Sequence, residues 1–265
     1  MPSSRDSAIC LRLVPYSETS QIVTLLTREH GLLRLIAKGA HRRTKAGAGK
    51  FDGGLDLLDL GNAVFSAPTD RNLGLLTEWK LLDGHLGLRR SLRALRLALL
   101  VAEIVPLLLE EHDPHPALFE RVVATVAALS GASLEESSLA FLLDLLAASG
   151  FLPELSHCCT CRQPVTDKPR AFFSPERGGA ICEACAKTVA DRMPVDPKLL
   201  RLAEMMLKLP RKDGLVQRLP RLNRACSDPL HRLLLAYIEH TLQRPLRMKP
   251  LVANGNRVQA ARSVE

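Results

Sequence analysis

Five of the seven cysteines in this 265-residue chain lie between His157 and Lys187. Four of them, Cys158, Cys161, Cys182 and Cys185, follow the spacing C-x2-C-x20-C-x2-C. Two thiolates flanking two residues grip one ion from a tight knuckle, and two such knuckles complete a tetrahedral shell. The intervening stretch contains AFFSPERGGAICE, read as two short strands around a Gly-Gly turn, which is how a zinc ribbon brings its knuckles together. Reduced core thiols do not pair at this spacing, and a redox motif needs only one C-x-x-C. The expected cofactor is therefore one Zn2+. A shell of four thiolates leaves no position for water, so the expected role of the ion is structural. His157 is an alternative ligand to Cys158, and Cys159 is a bystander in the knuckle. Cys10 and Cys226 stand apart and are expected to be small buried hydrophobes.

No other motif carries chemistry. AGAGKF (46–51) has the Gly-Lys of a phosphate loop, but Thr44 stands where the first glycine belongs and Phe51 where a hydroxyl belongs. H-E-x-x-H is absent, and so is the zinc deaminase pattern. Scattered histidines nominate no nucleophile with its base. The chain is expected to be a non-enzyme.

The elements that must position these residues change character along the chain. Up to about residue 82 the pattern is period-2: AICLRLV (8–14), QIVTLLT (21–27), LLRLIAK (32–38), LDLLDLGNAVF (55–65) and NLGLLTEWKLL (72–82). Five strands in about eighty residues, three of them a meander, suit an OB-type barrel, with an SH3-like barrel fitting the count nearly as well. From 83 the period is 3.6, giving helices over 89–111, 117–129 and 134–149, then 196–209 and 228–244 after the cysteines. The expected fold is α+β and multidomain: an OB barrel at 1–82, a helical domain at 83–156 and 191–245, an inserted four-cysteine module at 157–190, and a disordered tail at 246–265. No stretch resembles a signal peptide or a membrane span, so a cytoplasmic location is expected.

The formal net charge is +8, and its distribution is uneven. Arg34, Lys38, Arg42, Arg43, Lys45 and Lys50 occur with no acid among them, and a second concentration runs from Lys208 to Arg224. A basic groove that tracks phosphates is the means by which OB barrels hold nucleic-acid strands. Arg34 and Lys38 alternate with Leu33, Leu35 and Ala37, which puts both cations on the solvent side of the third strand. The other four continue into a loop able to wrap a strand, unless that loop is merely solvated. Phe51 either stacks on a base or opens the core of the next strand. Arg89, Arg93 and Arg96 share a helix face and either extend the nucleic-acid path or pair with nearby glutamates. Met205 and Met206 near Lys208 form either a groove for an acidic, aromatic-ended peptide or part of a core helix.

The order of parts resembles the RecO family of bacterial DNA repair proteins. AICLRLVPYSETSQIVTLLTREHGLLRLIAKGAHRRTK is similar to that family's opening, with its turn at Tyr16–Ser20, its hairpin ending at Gly31, and the basic signature Ala37-Lys38-Gly39-Ala40 followed by Arg42 and Arg43. ASGFLPELSHCCTC matches the approach to the first knuckle through Gly150, Pro153, Leu155, Cys158 and Cys161. Arg162 replaces the usual glycine after the second cysteine, which implies a slightly different knuckle turn. The resemblance covers residues 5 to 245. It implies a recombination mediator that binds single- and double-stranded DNA and anneals complementary strands. It further implies action with RecR, often with RecF, to load RecA on DNA coated by single-strand-binding protein (SSB), whose C-terminal tail is a further implied partner. No membrane partner is implied. The alternative is an OB and zinc-ribbon protein that binds RNA or regulates transcription.

Overall fold

The computed structural model describes residues 3–39, 50–52, 54–66, 73–212, 215–216 and 221–253. Strands β1 (Ser3–Pro15), β2 (Ser20–Thr27), β3 (Gly31–Lys38), β4 (Phe51–Asp52), β5 (Leu60–Ser66) and β6 (Gly74–Asp83) form one sheet in the order β3-β2-β1-β5-β6-β4. Pairing is antiparallel along the sheet until β3 meets β6, where Leu35↔Gly74, Ile36↔Leu75 and Ala37↔Leu76 run parallel. That last pairing closes the five long strands into the Greek-key barrel of an OB fold, and so selects it over the SH3-like alternative.

Strand alternation fills the barrel. Val23 and Leu25 of β2, Leu33, Leu35 and Ala37 of β3, Phe65 of β5 and Trp79 of β6 all point inward and form one buried cluster. Outward residues at the other end of the sheet are buried too. Ile9, Leu26 and Leu32 lie in register across β1, β2 and β3, where two helices pack on β1 and β2. These helices are α1 (Leu92–Leu108) and α2 (Pro116–Ala128). A short 3-10 turn (Leu86–Arg90) precedes α1, whose start is set by Ser91 accepting from the Ala94 N–H at 3.3 Å.

One expected strand is half a turn. Over 55–59, Asp59 Oδ2 accepts from the Asp56 N–H at 2.7 Å, the Asp59 N–H reaches back to the Asp56 carbonyl, and Leu58 takes φ +69. The aspartates hydrogen-bond the local backbone in place of a ladder, so β5 begins at Leu60.

The chain divides into two compact units, Met1–Ser130 and Gly131–Glu265. The second is built on α3 (Leu134–Ala148), buried along most of its length. Next come β7 (Ala171–Ser174), β8 (Gly179–Cys182), α4 (Glu183–Ala186), β9 (Met193–Val195) and α5 (Pro197–Lys208). The two-residue pair β10 (Arg211–Lys212) and β11 (Leu215–Val216), then α6 (Arg224–Leu242) and α7 (Lys249–Ala253), complete it. α6 starts four residues before the expected position. Asn223 caps it by accepting from the Cys226 N–H at 3.1 Å, while Pro229 sits inside it. Ser138 of α3 and His231 of α6, both buried, meet at 2.9 Å.

Two further expectations fail here. The tail was expected to be disordered from 246, yet Leu246 is buried and its N–H donates to Glu239 at 2.8 Å. Lys249 pairs with the same carboxylate, and α7 buries Val252 and Ala253. Cys10 is buried as expected, with its thiol pushed up by burial, but Cys226 keeps partial exposure in the first turn of α6. Among the described residues no helix is long and apolar enough to cross a membrane.

Gly61 is the tightest internal constraint on the barrel. A Cβ there would lie 2.5 Å from the Trp79 ring and 2.7 Å from the Lys80 carbonyl oxygen. Gly61→Ala is expected to destabilise this unit by about 1–3 kcal/mol. Urea unfolding followed by the fluorescence of Trp79, the chain's one tryptophan, reports this directly. An unchanged midpoint would show that the indole does not need this seat.

Candidate metal centre and nucleic-acid interface

The candidate metal centre joins the end of a hairpin to a knuckle on the segment that precedes it and lies along β8. β7 and β8 pair from Ala171↔Cys182 to Ser174↔Gly179, and β9 adds to the outer edge of β7. Cys182 ends β8 and Cys185 follows within α4, which forms the second knuckle. Glu154 fastens the first knuckle to that hairpin. Its N–H donates to the Gly178 carbonyl, its carbonyl accepts from the Ala180 N–H, and its carboxylate accepts from the Ser156 and His157 N–H groups. A Cβ on Gly179 would fall 2.3 Å from the Glu154 carbonyl oxygen, so this close approach requires the glycine. Phe173 of β7 meets Tyr237 of α6 edge-on at 5.9 Å between ring centres, which seats the hairpin on the helices.

The sulfur atoms of Cys158, Cys161, Cys182 and Cys185 all lie within 4.8 Å of one another, and those of Cys161 and Cys182 are 3.7 Å apart. A tetrahedral ion with metal–sulfur bonds of about 2.3 Å needs sulfurs about 3.8 Å apart, so the four fit a single metal ion. Burial raises the Cys158 thiol. Backbone N–H groups of Cys182, Cys161 and Thr160 outweigh that and hold it at about 6, prepared as a thiolate. Cys185 is pushed up to about 12, chiefly by hydrogen bonding to Cys182 and Cys161, so ion binding there must displace a proton. His157 is exposed beside Glu154 and stays outside the cluster, as does Cys159, whose N–H donates to the Ala180 carbonyl.

Arg162 adopts φ +63, a left-handed conformation that glycine takes without strain, and its N–H closes the turn onto the Cys158 carbonyl at 2.9 Å. The arginine bears the strain of that conformation.

In the first unit Arg34 and Lys38 project from the outer face of β3, both exposed, opposite buried Leu33, Leu35 and Ala37. Arg34 comes within 3.8 Å of Glu111. Lys50 is exposed at the start of β4, where its carbonyl accepts from the Trp79 N–H at 2.8 Å. Phe51 packs half-buried against the barrel core. Arg42, Arg43 and Lys45 lie outside the described residues. Arg89 is exposed but paired with Asp56 at 3.2 Å, and Arg93 is half-buried with a partner of its own. The methionine pair divides: Met206 is buried in the second unit and Met205 is exposed. Arg12 lies on the same outer face as Arg34, a position the β1 alternation allowed but clustering along the sequence did not reveal.

Comparison with known proteins covers both units. Residues 1–85 match the family model for the N-terminal part of recombination protein O, and residues 89–250 match the model for its C-terminal part. The chain belongs to the RecO family. It is 32% identical to the DNA repair protein RecO of Anaeromyxobacter dehalogenans strain 2CP-1 over 255 residues, covering 93% of this chain and 94% of the relative. It is 39% identical to that of Rhodopirellula baltica over 180 residues, covering 67% and 65%. Against the Bacillus subtilis RecO it is 31% identical over 206 residues, 76% of each. The OB barrel and the four-cysteine module therefore stand in the setting of a RecO protein.

Arg162→Gly is expected to stabilise the second unit by about 1 kcal/mol, since glycine adopts φ +63 without a Cβ penalty. Thermal unfolding of the two proteins with equal metal content measures it. A lower midpoint for the glycine variant would show that the arginine side chain stabilises the knuckle in another way.

Proposed function

We propose that this protein is a recombination mediator that binds single- and double-stranded DNA and anneals complementary strands without nucleotide hydrolysis. With RecR, and often RecF, it helps load RecA onto DNA coated by SSB in the cytoplasm. Membership of the RecO family over nearly the whole chain is the observation that carries this reading. Physical support comes from the barrel, whose outer face on β3 presents Arg34 and Lys38, followed in sequence by the basic residues Arg42, Arg43, Lys45 and Lys50.

Phosphates provide the affinity in this reading. Phe51 lies against the core, and aromatic residues make up only 4% of the chain, so stacking contributes little. Arg89 and Arg93 extend the path at its margin. The ion of the cysteine module is Zn2+, held by Cys158, Cys161, Cys182 and Cys185. It supplies folding energy rather than chemistry, because four thiolates leave it no open position. The protein acts by holding strands, not by catalysis.

The following measurements test this reading. Strand annealing on SSB-coated DNA, with and without RecR and without ATP, should proceed; strict dependence on ATP would overturn the non-catalytic assignment. Preference for structured RNA over DNA would favour a regulator of RNA or transcription. Single-strand affinity should fall with salt, and replacing Arg42, Arg43 and Lys45 with Ala should flatten the log–log slope by roughly two units, at about 0.7 per phosphate. An unaltered slope would move the binding surface elsewhere. Metal analysis should find one zinc per chain. Cys182→Ser should unfold the module, since the binding free energy at such a site is on the order of 10 kcal/mol. A zinc-free preparation of full stability would end the structural role.

A further inference from the structure

The outer face of the barrel changes character row by row, and the register of four strands makes the rows explicit. Nearest α1 and α2, Ile9, Leu26 and Leu32 are buried. The next outward row is Arg12–Thr24–Arg34 across β1, β2 and β3. Beyond it, Val14, Ile22, Ile36 and Leu75 stand in register across β1, β2, β3 and β6, and all four keep partial exposure. The last row pairs Ser20 with exposed Lys38, and Tyr16, 63% exposed, follows β1 at the same end.

A half-exposed aliphatic row thus lies between Arg12 and Arg34 on one side and Lys38 on the other. Rows are about 6–7 Å apart along the strands, and Arg12 and Arg34 about 10 Å apart across them. Among the described residues Arg12 and Lys38 have no carboxylate partner, and Arg34 has Glu111 at 3.8 Å. Of the outward residues in these three rows none is acidic; Glu18, exposed in the β1–β2 turn, is the nearest acid in sequence.

We infer that the Val14–Ile22–Ile36–Leu75 row is a platform for unpaired nucleobases, and that it gives this protein a preference for single strands. The inference rests on the DNA-binding reading above and adds residues and a selectivity to it. The charge pattern commits the surface to a polyanion with apolar faces. Cations that flank an apolar strip hold phosphates while the bases of the same strand lie on the strip. A duplex keeps its bases stacked inside and offers only phosphates, so it gains the arginines and lysine but not the row. An aliphatic strip has no geometry that distinguishes one base from another, so the preference is blind to sequence.

The test uses the full-length protein with zinc, a thymidine 30-mer and a 30-base-pair duplex, at several salt concentrations. The double substitution Ile22→Ser with Ile36→Ser should weaken the 30-mer about tenfold through lost apolar contact. It should leave duplex affinity and the salt slope unchanged. Arg12→Gln should weaken both ligands and flatten the single-strand slope by about 0.7. Because the serine variant changes packing, Ile22→Trp provides the opposite sign. It should tighten the 30-mer about tenfold by stacking, and its added indole should be quenched on binding. Equal effects of the serine variant on 30-mer and duplex, or no effect in a folded protein, would overturn the platform while leaving DNA binding intact. So would an acidic aliphatic peptide that binds the row and is not displaced by the 30-mer. Failure of the parent protein to bind either DNA would instead remove the reading on which the platform rests.

Discussion

β1 has to serve two neighbours at once, and the first unit depends on how it does so. Its first half pairs with β5 from Ser3 to Ile9, and its second half pairs with β2 from Ala8 to Pro15. The register slips between Cys10 and Arg12, where the Cys10 carbonyl turns to the Leu58 N–H at 2.8 Å and its N–H to the Asp59 carbonyl at 2.9 Å. A bulge of this kind bends a strand and raises its twist, which a barrel of five strands needs in order to close. It also resets alternation, because Cys10 faces the core while Arg12 and Val14 face out. Without that slip, the second half of β1 would present the opposite set of side chains, and Arg12 would turn inward.

The second unit has a different constraint. Its hairpin is short, four residues per strand, and the knuckle before it forms no strand of its own. Even with β9 the sheet has strands of only three or four residues, so such a module needs a staple. An ion held by the four cysteines would supply one, and Glu154 supplies the local geometry that brings them together: one residue ties Gly178, Ala180, Ser156 and His157 into a single arrangement. Pro153 and Leu155, on either side of it, are both buried.

Features with strong local periodicity were legible in the sequence. The alternation of QIVTLLT and LLRLIAK placed Arg34 and Lys38 outward, and the cysteine spacing named all four members of the cysteine cluster. Features set by particular hydrogen bonds or by pairing with another element were not. The turn at 55–59 reads as hydrophobic alternation until the hydrogen bonds of Asp56 and Asp59 are seen. β9 is three residues long and exists because β7 offers it an edge. α7 depends on Glu239, seven residues before Leu246 and ten before Lys249. The row of Val14, Ile22, Ile36 and Leu75 is spread over sixty residues, and only the strand register brings it into line.

The poverty of aromatic residues bears on the strand annealing proposed above. Stacking of a base on an aromatic side chain is worth about 1–3 kcal/mol. A step of duplex stacking averages about 1.4 kcal/mol. A surface that stacked every base on an aromatic ring would therefore compete with the duplex it is meant to promote. The outward rows of β1, β2 and β3 carry arginine, lysine, valine and isoleucine, and the large aromatics Phe65 and Trp79 are turned inward. Phosphate contacts neutralise the repulsion between two strands without engaging the pairing edges of their bases, and an aliphatic strip grips each base more weakly than a ring would. On the annealing proposal, pairing displaces a weak hold on the bases step by step while a hold on the phosphates persists. A barrel whose binding face is basic and aliphatic is, on these magnitudes, better suited to handing strands over than to sequestering them.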